Sequence, residues 1–415
     1  MKSGYKDMKC GLIGEHLSHS FSPLIHGELA DYSYSLYELE PSRLAEFLRS
    51  GELDAFNVTI PYKRDVIPYL DFISDEAAAI GSVNTVVKDK DGKLHGYNTD
   101  YFGFDYMIEI SGIDVSGKKA VVFGKGGASL TVCTVLRDRG IGEIVLFGSK
   151  DNTPENIAKH SDAEIIVNAT PVGMYPNNEK SPADLASFPA CVGVLDLIFN
   201  PARTALLLDA EARGIPYVNG LPMLVAQAAK AFEFFTGDSF EADCIERITS
   251  VIRQKTNNVI LIGMPGCGKT TVGKMIADKL CREFFDADVE FEKMHGISPA
   301  KCIEQMGEDK FRELENLTLS ALGKKSGIVL ATGGGAVTRE FNYSPLHQNG
   351  IIFFIERALE NLARDGRPLS AKTTPEEMYA KRISAYKRFA DVTIYSNEIV
   401  EDTANAIISE FNNLT

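Results

Sequence analysis

The stretch VILIGMPGCGKTT, residues 259–271, constrains this chain more than any other. An apolar run leads into Gly263, Gly266, Gly268, Lys269 and Thr270, the G-x-x-x-x-G-K-T spacing of a phosphate-binding loop. Such a loop needs a strand before it and a helix after it, so its domain must be α/β with a largely parallel sheet. The glycines let backbone N–H groups wrap phosphate, and the helix start adds partial positive charge. In that setting Lys269 neutralises the β- and γ-phosphates of ATP, and the Thr270 hydroxyl ligates Mg2+. Pro265, Cys267 and Thr271 complete the ATP-binding loop.

Residues 1–258 precede the loop. Short apolar runs alternate there with amphipathic segments, which again reads as α/β. A first series covers about 1–100, with strands in KCGLIG, DAFNVTI and VNTVV. A second opens at KKAVVFGKGGASL and continues through EIVLFG, AEIIVNAT and GVLDLIF to the helical LPMLVAQAAKAFEFFTG. The polar, partly helical ERITSVIRQKTNN is expected to connect it to the third series. The expected division is a first lobe over 1–100 completed by helices at about 222–250, a second lobe over 101–221, a linker at 251–257 and a last domain over 258–415.

A net charge of −14 argues against a nucleic-acid surface, so anionic ligands must be drawn by local basic groups. The seven cysteines are scattered and form no Cys-x-x-Cys, which suits reduced thiols and a cytoplasmic location. No apolar run is long enough for a signal peptide or a membrane span.

Several side chains are candidates for chemistry. In FFDADVEFE, Asp286 and Asp288 are two apart at an expected strand end, so both should point one way; an acidic helix start is the alternative. One carboxylate could hold Mg2+ through water and the other could orient a hydroxyl. KFRELE puts Arg312 and Glu315 one turn apart on a helix. The triple-glycine turn ATGGGAV supplies Gly334 and Gly335, and Arg367 and Arg382 lie in DGRPLS and KRISAY. Near the start, Ser20 and Ser22 in SHSFSP could face one ligand or simply cap a helix. Lys63 in NVTIPYK and Asp100 in YNTD could form an acid/base pair, although spacing alone does not bring them together. In VVFGKGGASL, Gly124 and Gly126 with Ser129 make a strand–turn–helix fingerprint for a dinucleotide. The next strand ends Phe147-Gly148-Ser149-Lys150 with no acid for a ribose hydroxyl; a lysine and a hydroxyl favour NADP over NAD.

The C-terminal set GMPGCGKTTVGK, FFDADVEFE, FRELE, TGGG, GRPLS and KRISAY, in order over roughly 160 residues, resembles shikimate kinase. The resemblance implies that Asp288, Arg312, Gly334, Gly335 and Arg382 hold shikimate, with Asp288 at the reacting hydroxyl. It also implies that Arg367 reaches the transferring phosphoryl group and that Asp286 serves Mg2+ through water. The N-terminal set SHSFSP, NVTIPYK, GSVNTV, GYNTD, FGKGGAS, NATPVGM, NPARTALL and NGLPMLVAQA resembles shikimate dehydrogenase. It implies a substrate lobe and a Rossmann-type NADP lobe, with Ser20, Ser22, Asn57, Thr59, Asn84, Asp100 and Gln227 around shikimate. Lys63 with Asp100 becomes the proton-transfer pair, and Gly124, Gly126, Gly127, Ala128, Ser149, Lys150, Thr170 and Gly220 become the NADP(H) site. This chain departs from the family where Gly148-Ser149-Lys150 replaces the usual Asn-Arg-Thr, where Lys125 replaces a common alanine, and where Phe199 replaces a frequent tyrosine. Lys125, placed near a pyrophosphate, partly compensates for the missing arginine. The expected activity is reduction of 3-dehydroshikimate with NADPH, then ATP-dependent 3-phosphorylation of shikimate. The alternatives are a ligand-sensing protein built from enzyme-like domains, or a quinate/shikimate dehydrogenase fused to a related kinase. Monomer and homodimer both remain open.

Overall fold

The computed structural model describes residues 2–17, 20–362, 374–397 and 399–415. It divides into two units, Met1–Phe199 with Leu206–Thr249, and Asn200–Ala205 with Ser250–Thr415.

The first unit holds two sheets. In the first are β1 (Lys9–Gly14), β2 (Ser33–Glu38), β3 (Ala55–Val58), β4 (Phe72–Ile73), β5 (Thr85–Lys88) and β6 (Leu94–Tyr97), in the order β2-β1-β3-β5-β6-β4. Both partners of β5 run antiparallel to it, and the remaining pairs are parallel. The second sheet is wholly parallel: β7 (Lys119–Phe123), β8 (Glu143–Phe147), β9 (Ile165–Asn168), β10 (Gly193–Asp196) and β11 (Tyr217–Val218), ordered β11-β10-β9-β7-β8. Its central strands are buried along most of their length, as expected where helices cover both faces of a parallel sheet.

The second unit carries a parallel sheet of β12 (Asn258–Ile262), β13 (Phe284–Asp286), β14 (Val329–Ala331), β15 (Gly350–Glu356) and β16 (Val392–Tyr395), ordered β13-β14-β12-β15-β16. Strand β12 is central and fully buried, and its end feeds the glycine loop that opens the helix Lys269–Leu280.

The stretch expected as a linker is regular structure. Residues 251–256 are the end of the helix Cys244–Thr256, and β12 starts at Asn258. Ile245, Ile248 and Ile252 recur at helical spacing and are buried, so an apolar stripe orders a segment whose overall composition reads as polar.

His26 belongs to the core of the first unit. Its ring stacks on Tyr34 at 3.9 Å, Nδ1 lies 2.7 Å from the Tyr32 hydroxyl, and Nε2 has no hydrogen-bond partner among the described residues. Burial lowers its pKa from 6.5 to about 3. Between those values the unfolded chain binds the proton and the folded chain does not, so stability rises with pH there. Each pH unit below 6.5 should therefore cost up to about 1.4 kcal/mol from this residue alone. His26→Phe keeps a stacking ring and removes the titration. Urea midpoints of the full chain from pH 7 to pH 4.5 should fall less steeply for the variant than for the parent.

Candidate active sites

In the first unit the sheet β1–β6 presents its polar residues at strand ends. Asn57, the third residue of β3, donates to the Asn84 carbonyl at 3.3 Å and to Thr85 Oγ1 at 3.1 Å. Its own side-chain oxygen accepts from the Tyr34 hydroxyl at 2.8 Å. Asn84 Oδ1 accepts the backbone N–H of Thr99 at 2.7 Å, which ties it to the start of the helix Thr99–Ser111. Thr99 Oγ1 also donates to Gln227 Oε1 at 3.4 Å, on the helix Leu221–Thr236. Asn57, Asn84 and Gln227 are thus joined through Thr99 in one largely buried network, in which Tyr34 and Thr85 are members that motif reading passed over. Nothing in the spacing of Tyr34 singles it out, because its partner comes from a neighbouring strand.

Asp100 is the second residue of that helix, and its Oδ2 accepts from Lys63 Nζ at 2.5 Å. The side chains are only 19% and 12% exposed, so the pair is substantially desolvated. Lys63 also lines a cleft of about 1080 Å³ together with Thr59, Gly124, Gly126, Gly127, Ala128, Ser149, Lys150 and Thr170. An ammonium paired with a carboxylate therefore borders the glycine turn. Ser20 and Ser22 meet each other, Oγ to Oγ at 3.1 Å, and Ser22 opens the helix Ser22–Leu29 ahead of Pro23. The serine pair forms a helix-start turn rather than an extended segment. Phe199 packs its ring against Phe21 with centroids 5.7 Å apart.

The glycine turn fits a dinucleotide. Gly124 has φ +120°, and a Cβ there would come within 2.7 Å of the Ala169 carbonyl. Gly126 precedes the helix Gly127–Asp138, whose first N–H groups lack helical partners and suit a pyrophosphate. Gly220 lies outside the lining of the cleft and caps the helix Leu221–Thr236. The strand-end reading needs correction: an acid does stand beyond β8. Asp151 accepts from the Gly148 N–H at 3.1 Å and from Lys125 Nζ at 2.6 Å. The Lys125 ammonium and that N–H hold the Asp151 carboxyl below the usual carboxylate range. Lys125 is thus engaged at the end of β8.

In the second unit one cavity of about 340 Å³ joins the phosphate loop to the acidic and basic candidates. Pro265, Gly266, Gly268, Lys269, Thr270 and Thr271 line it, as do Asp286, Asp288, Arg312, Gly334, Gly335 and Arg382. Lys269 Nζ donates to the carbonyls of Gly263 at 2.8 Å and Met264 at 3.0 Å, with Cys267 Sγ at 3.8 Å. Thr270 Oγ1 donates to Asp286 Oδ2 at 2.8 Å, so a hydroxyl and a carboxylate already converge where Mg2+ would need both. Asp286 and Asp288 do not share a strand face. Asp286 ends β13 and caps the helix Ala287–His295 by accepting from the Asp288 N–H at 3.1 Å. The cap, not strand alternation, turns both into the cavity.

Arg312 is 2% exposed, and its guanidinium donates to Glu315 Oε2 at 2.7 Å and Glu308 Oε1 at 3.2 Å. Burial lifts the Glu315 carboxyl above its ordinary range, with Arg312 opposing the shift. Arg382 donates to the Gly334 carbonyl at 3.0 Å. Arg367 lies outside the described residues.

The comparisons agree with this division. The model of the shikimate dehydrogenase substrate binding domain matches residues 12–86, and that of the shikimate 5'-dehydrogenase C-terminal domain matches 220–248. The shikimate kinase model matches 265–412. A shikimate dehydrogenase (NADP(+)) from Clostridium beijerinckii is 40% identical over 246 residues, covering 54% of this chain and 90% of the relative. The chain belongs to the shikimate dehydrogenase family and carries a shikimate kinase domain after it. Among solved structures, shikimate dehydrogenase 1 from Peptoclostridium difficile matches with 36% identity and a TM-score of 0.54, over 59% of this chain and 97% of that one. A chorismate mutase/shikimate 5-dehydrogenase fusion protein from Clostridium acetobutylicum matches with 32% identity and a TM-score of 0.56, over 60% and 97%.

The kinase-domain glycines make a sharp prediction. A Cβ at Gly334 would sit 2.6 Å from Pro265 Cγ and 3.0 Å from the Pro265 backbone nitrogen, in the phosphate loop. A Cβ at Gly335 would sit 2.2 Å from Arg312 Nη2. Gly334→Ala should therefore weaken ATP binding, and Gly335→Ala should raise KM for the phosphate acceptor by about ten-fold or more through the displaced arginine. Steady-state kinetics with each substrate varied in turn separates the two.

Proposed function

We propose that the chain is a bifunctional enzyme that reduces 3-dehydroshikimate to shikimate and then phosphorylates the 3-hydroxyl of shikimate. Residues 1–100 with the helices at about 222–250 form the substrate lobe, 101–221 the NADP lobe and 258–415 the kinase. The observation that carries the first activity is the desolvated Lys63–Asp100 pair at the edge of the dinucleotide cleft. The second is carried by the single cavity in which Lys269 and Thr270 meet Asp288, Arg312 and Arg382. When bound, NADPH supplies a hydride to the first site, and ATP with Mg2+ supplies the γ-phosphoryl group to the second.

In the reductase, Asn57, Asn84 and Gln227 hold the polyol, with Ser20, Ser22 and Thr59 completing the site. As the C3 carbonyl carbon gains its hydride, its oxygen takes a proton from Lys63 Nζ. Asp100 keeps that ammonium oriented and stabilises its charge, and solvent restores the proton. In the kinase, Arg312 and Arg382 clamp the substrate carboxylate with charge-assisted hydrogen bonds. Asp288 orients the 3-hydroxyl and accepts its proton as the new P–O bond forms and ADP departs. Lys269, now on the carbonyls of Gly263 and Met264, would turn to the phosphates, and Asp286 with Thr270 would hold Mg2+. Ser149 and Lys150, which line the cleft beyond β8, would face the adenosine ribose.

A cytoplasmic setting accords with seven free cysteines, six of them buried. Among the described residues no helix is long and apolar enough to cross a membrane.

Two lysine variants test the assignment together. Lys63→Ala should lower the dehydrogenase kcat by about 10²–10⁴-fold, the range for a lost acid/base group, and leave shikimate phosphorylation at the parental rate. Lys269→Ala should do the reverse. NADPH oxidation with 3-dehydroshikimate and ADP release with shikimate, measured on the same preparations, decide it. If Lys63→Ala kept its reductase rate, the proton-transfer role would be wrong.

A further inference from the structure

The end of β8 is where a nucleotide-binding fold of this kind reads the adenosine ribose. An acid there accepts the 2'-hydroxyl of NAD, and a cation there receives the 2'-phosphate of NADP. This chain places both charges at that point and ties them together. Asp151 Oδ2 accepts from Lys125 Nζ at 2.6 Å and from the Gly148 N–H at 3.1 Å. Lys125 belongs to the glycine turn after β7, so its cation reaches across to the neighbouring strand end. Gly148 makes room for it. A Cβ at Gly148 would lie 3.0 Å from Lys125 Cδ and 3.2 Å from Asp151 Oδ2. Lys125 and Asp151 both line the 1080 Å³ cleft and are 51% and 43% exposed, so an arriving phosphate can reach either. A pair that exposed is held weakly and opens at little cost.

We propose that Lys125 and Asp151 form the dinucleotide selector of the reductase, an inference that rests on the NADP-lobe reading above. Lys125 moves from Asp151 to the 2'-phosphate of NADP. Asp151 opposes that phosphate by its own charge and accepts the 2'-hydroxyl of NAD. The basic group supplied by a strand-end arginine in the family motif comes here from the preceding turn, and an acid balances it. The selector therefore admits both dinucleotides, with a preference for NADP weaker than Lys125 alone would give.

Calorimetric titration of the full chain with NADP+, NAD+ and adenosine 2',5'-bisphosphate tests this. Lys125→Ala should weaken NADP+ and the bisphosphate by about ten-fold, the scale of one charged hydrogen bond, and NAD+ by less than about two-fold. Asp151→Asn retains an acceptor for the Gly148 N–H; it should tighten NADP+ several-fold and weaken NAD+. The parent's affinity for NADP+ should fall with salt more steeply than its affinity for NAD+, and Lys125→Ala should reduce the difference, leaving the part that Lys150 contributes. Equal weakening of both dinucleotides by Lys125→Ala would assign the lysine to the shared pyrophosphate and overturn the selector. An unchanged affinity ratio in Asp151→Asn would overturn it too. If the parent bound neither dinucleotide, the NADP-lobe reading would fall, and the selector with it.

Discussion

Backbone N–H groups at the start of a helix have no partner inside that helix, and both phosphate-facing turns of this chain are built on that constraint. In each, a buried interior strand of a parallel sheet ends at a glycine turn and a helix follows: β7 into Gly127–Asp138, and β12 into Lys269–Leu280. Parallel pairing aligns the neighbouring strand ends at the same edge. That edge is where Ser149 and Thr170 stand in the first unit, and Asp286 and Thr332 in the second. The placement of the polar side chains follows from sheet order, and sheet order follows from burying Val- and Ile-rich strands on both faces.

The parts legible in the sequence are those whose chemistry is local. A strand, a glycine turn and a helix are adjacent in the chain, so G-x-x-x-x-G-K-T and the turn at Gly124–Gly127 announce themselves. The same holds for Arg312 and Glu315, whose separation of one helical turn fixes their meeting at 2.7 Å. What escaped depends on pairing between distant residues or on a local choice between two geometries. Asp151 stands four residues past the end of β8, and only the fold brings Lys125 to it. The Asp286–Asp288 pair satisfies two templates, strand alternation and helix cap; the cap wins because it satisfies an orphan N–H. The segment read as a polar, partly helical connection is helical over Cys244–Thr256, and Ile245, Ile248 and Ile252 carry the period that its charged face masks.

The two sites manage charge in opposite ways. In the kinase domain Arg312 is almost wholly buried, and an unpaired cation there would be costly. Glu315 and Glu308 pair with its two terminal nitrogens before any anion arrives, while its buried Nε has no partner among the described residues. Asp288 and Arg382 also act on the raised Glu315 carboxyl, the first lifting it and the second opposing, so the acceptor pocket is electrostatically one group. At the β8 edge the Lys125–Asp151 pair is half exposed and its geometry is easily exchanged. A buried pair suits a site that must hold one carboxylate in one orientation, whereas an exposed pair suits a choice between two cofactors that differ by one phosphate.

Each activity has its described reacting residues in one unit. Lys63 and Asp100 lie in the first, and Lys269, Asp286 and Asp288 in the second. What links the two activities is the molecule handed on, since shikimate, with its carboxylate and three hydroxyls, is product for one and acceptor for the other. In the proposed assignment the same polyol is met by two different sets of groups, amides and hydroxyls around Asn57 and Asn84 in the first unit and arginines beside the triple-glycine turn in the second. The difference follows from the reactions. Hydride transfer to a ketone develops an alkoxide, which a proton from the paired Lys63 ammonium would neutralise, so neutral donors would serve for the rest of the polyol. Phosphoryl transfer brings several anionic oxygens against a carboxylate-bearing acceptor, and a cavity lined with Lys269, Arg312 and Arg382 carries the cations that would offset that repulsion.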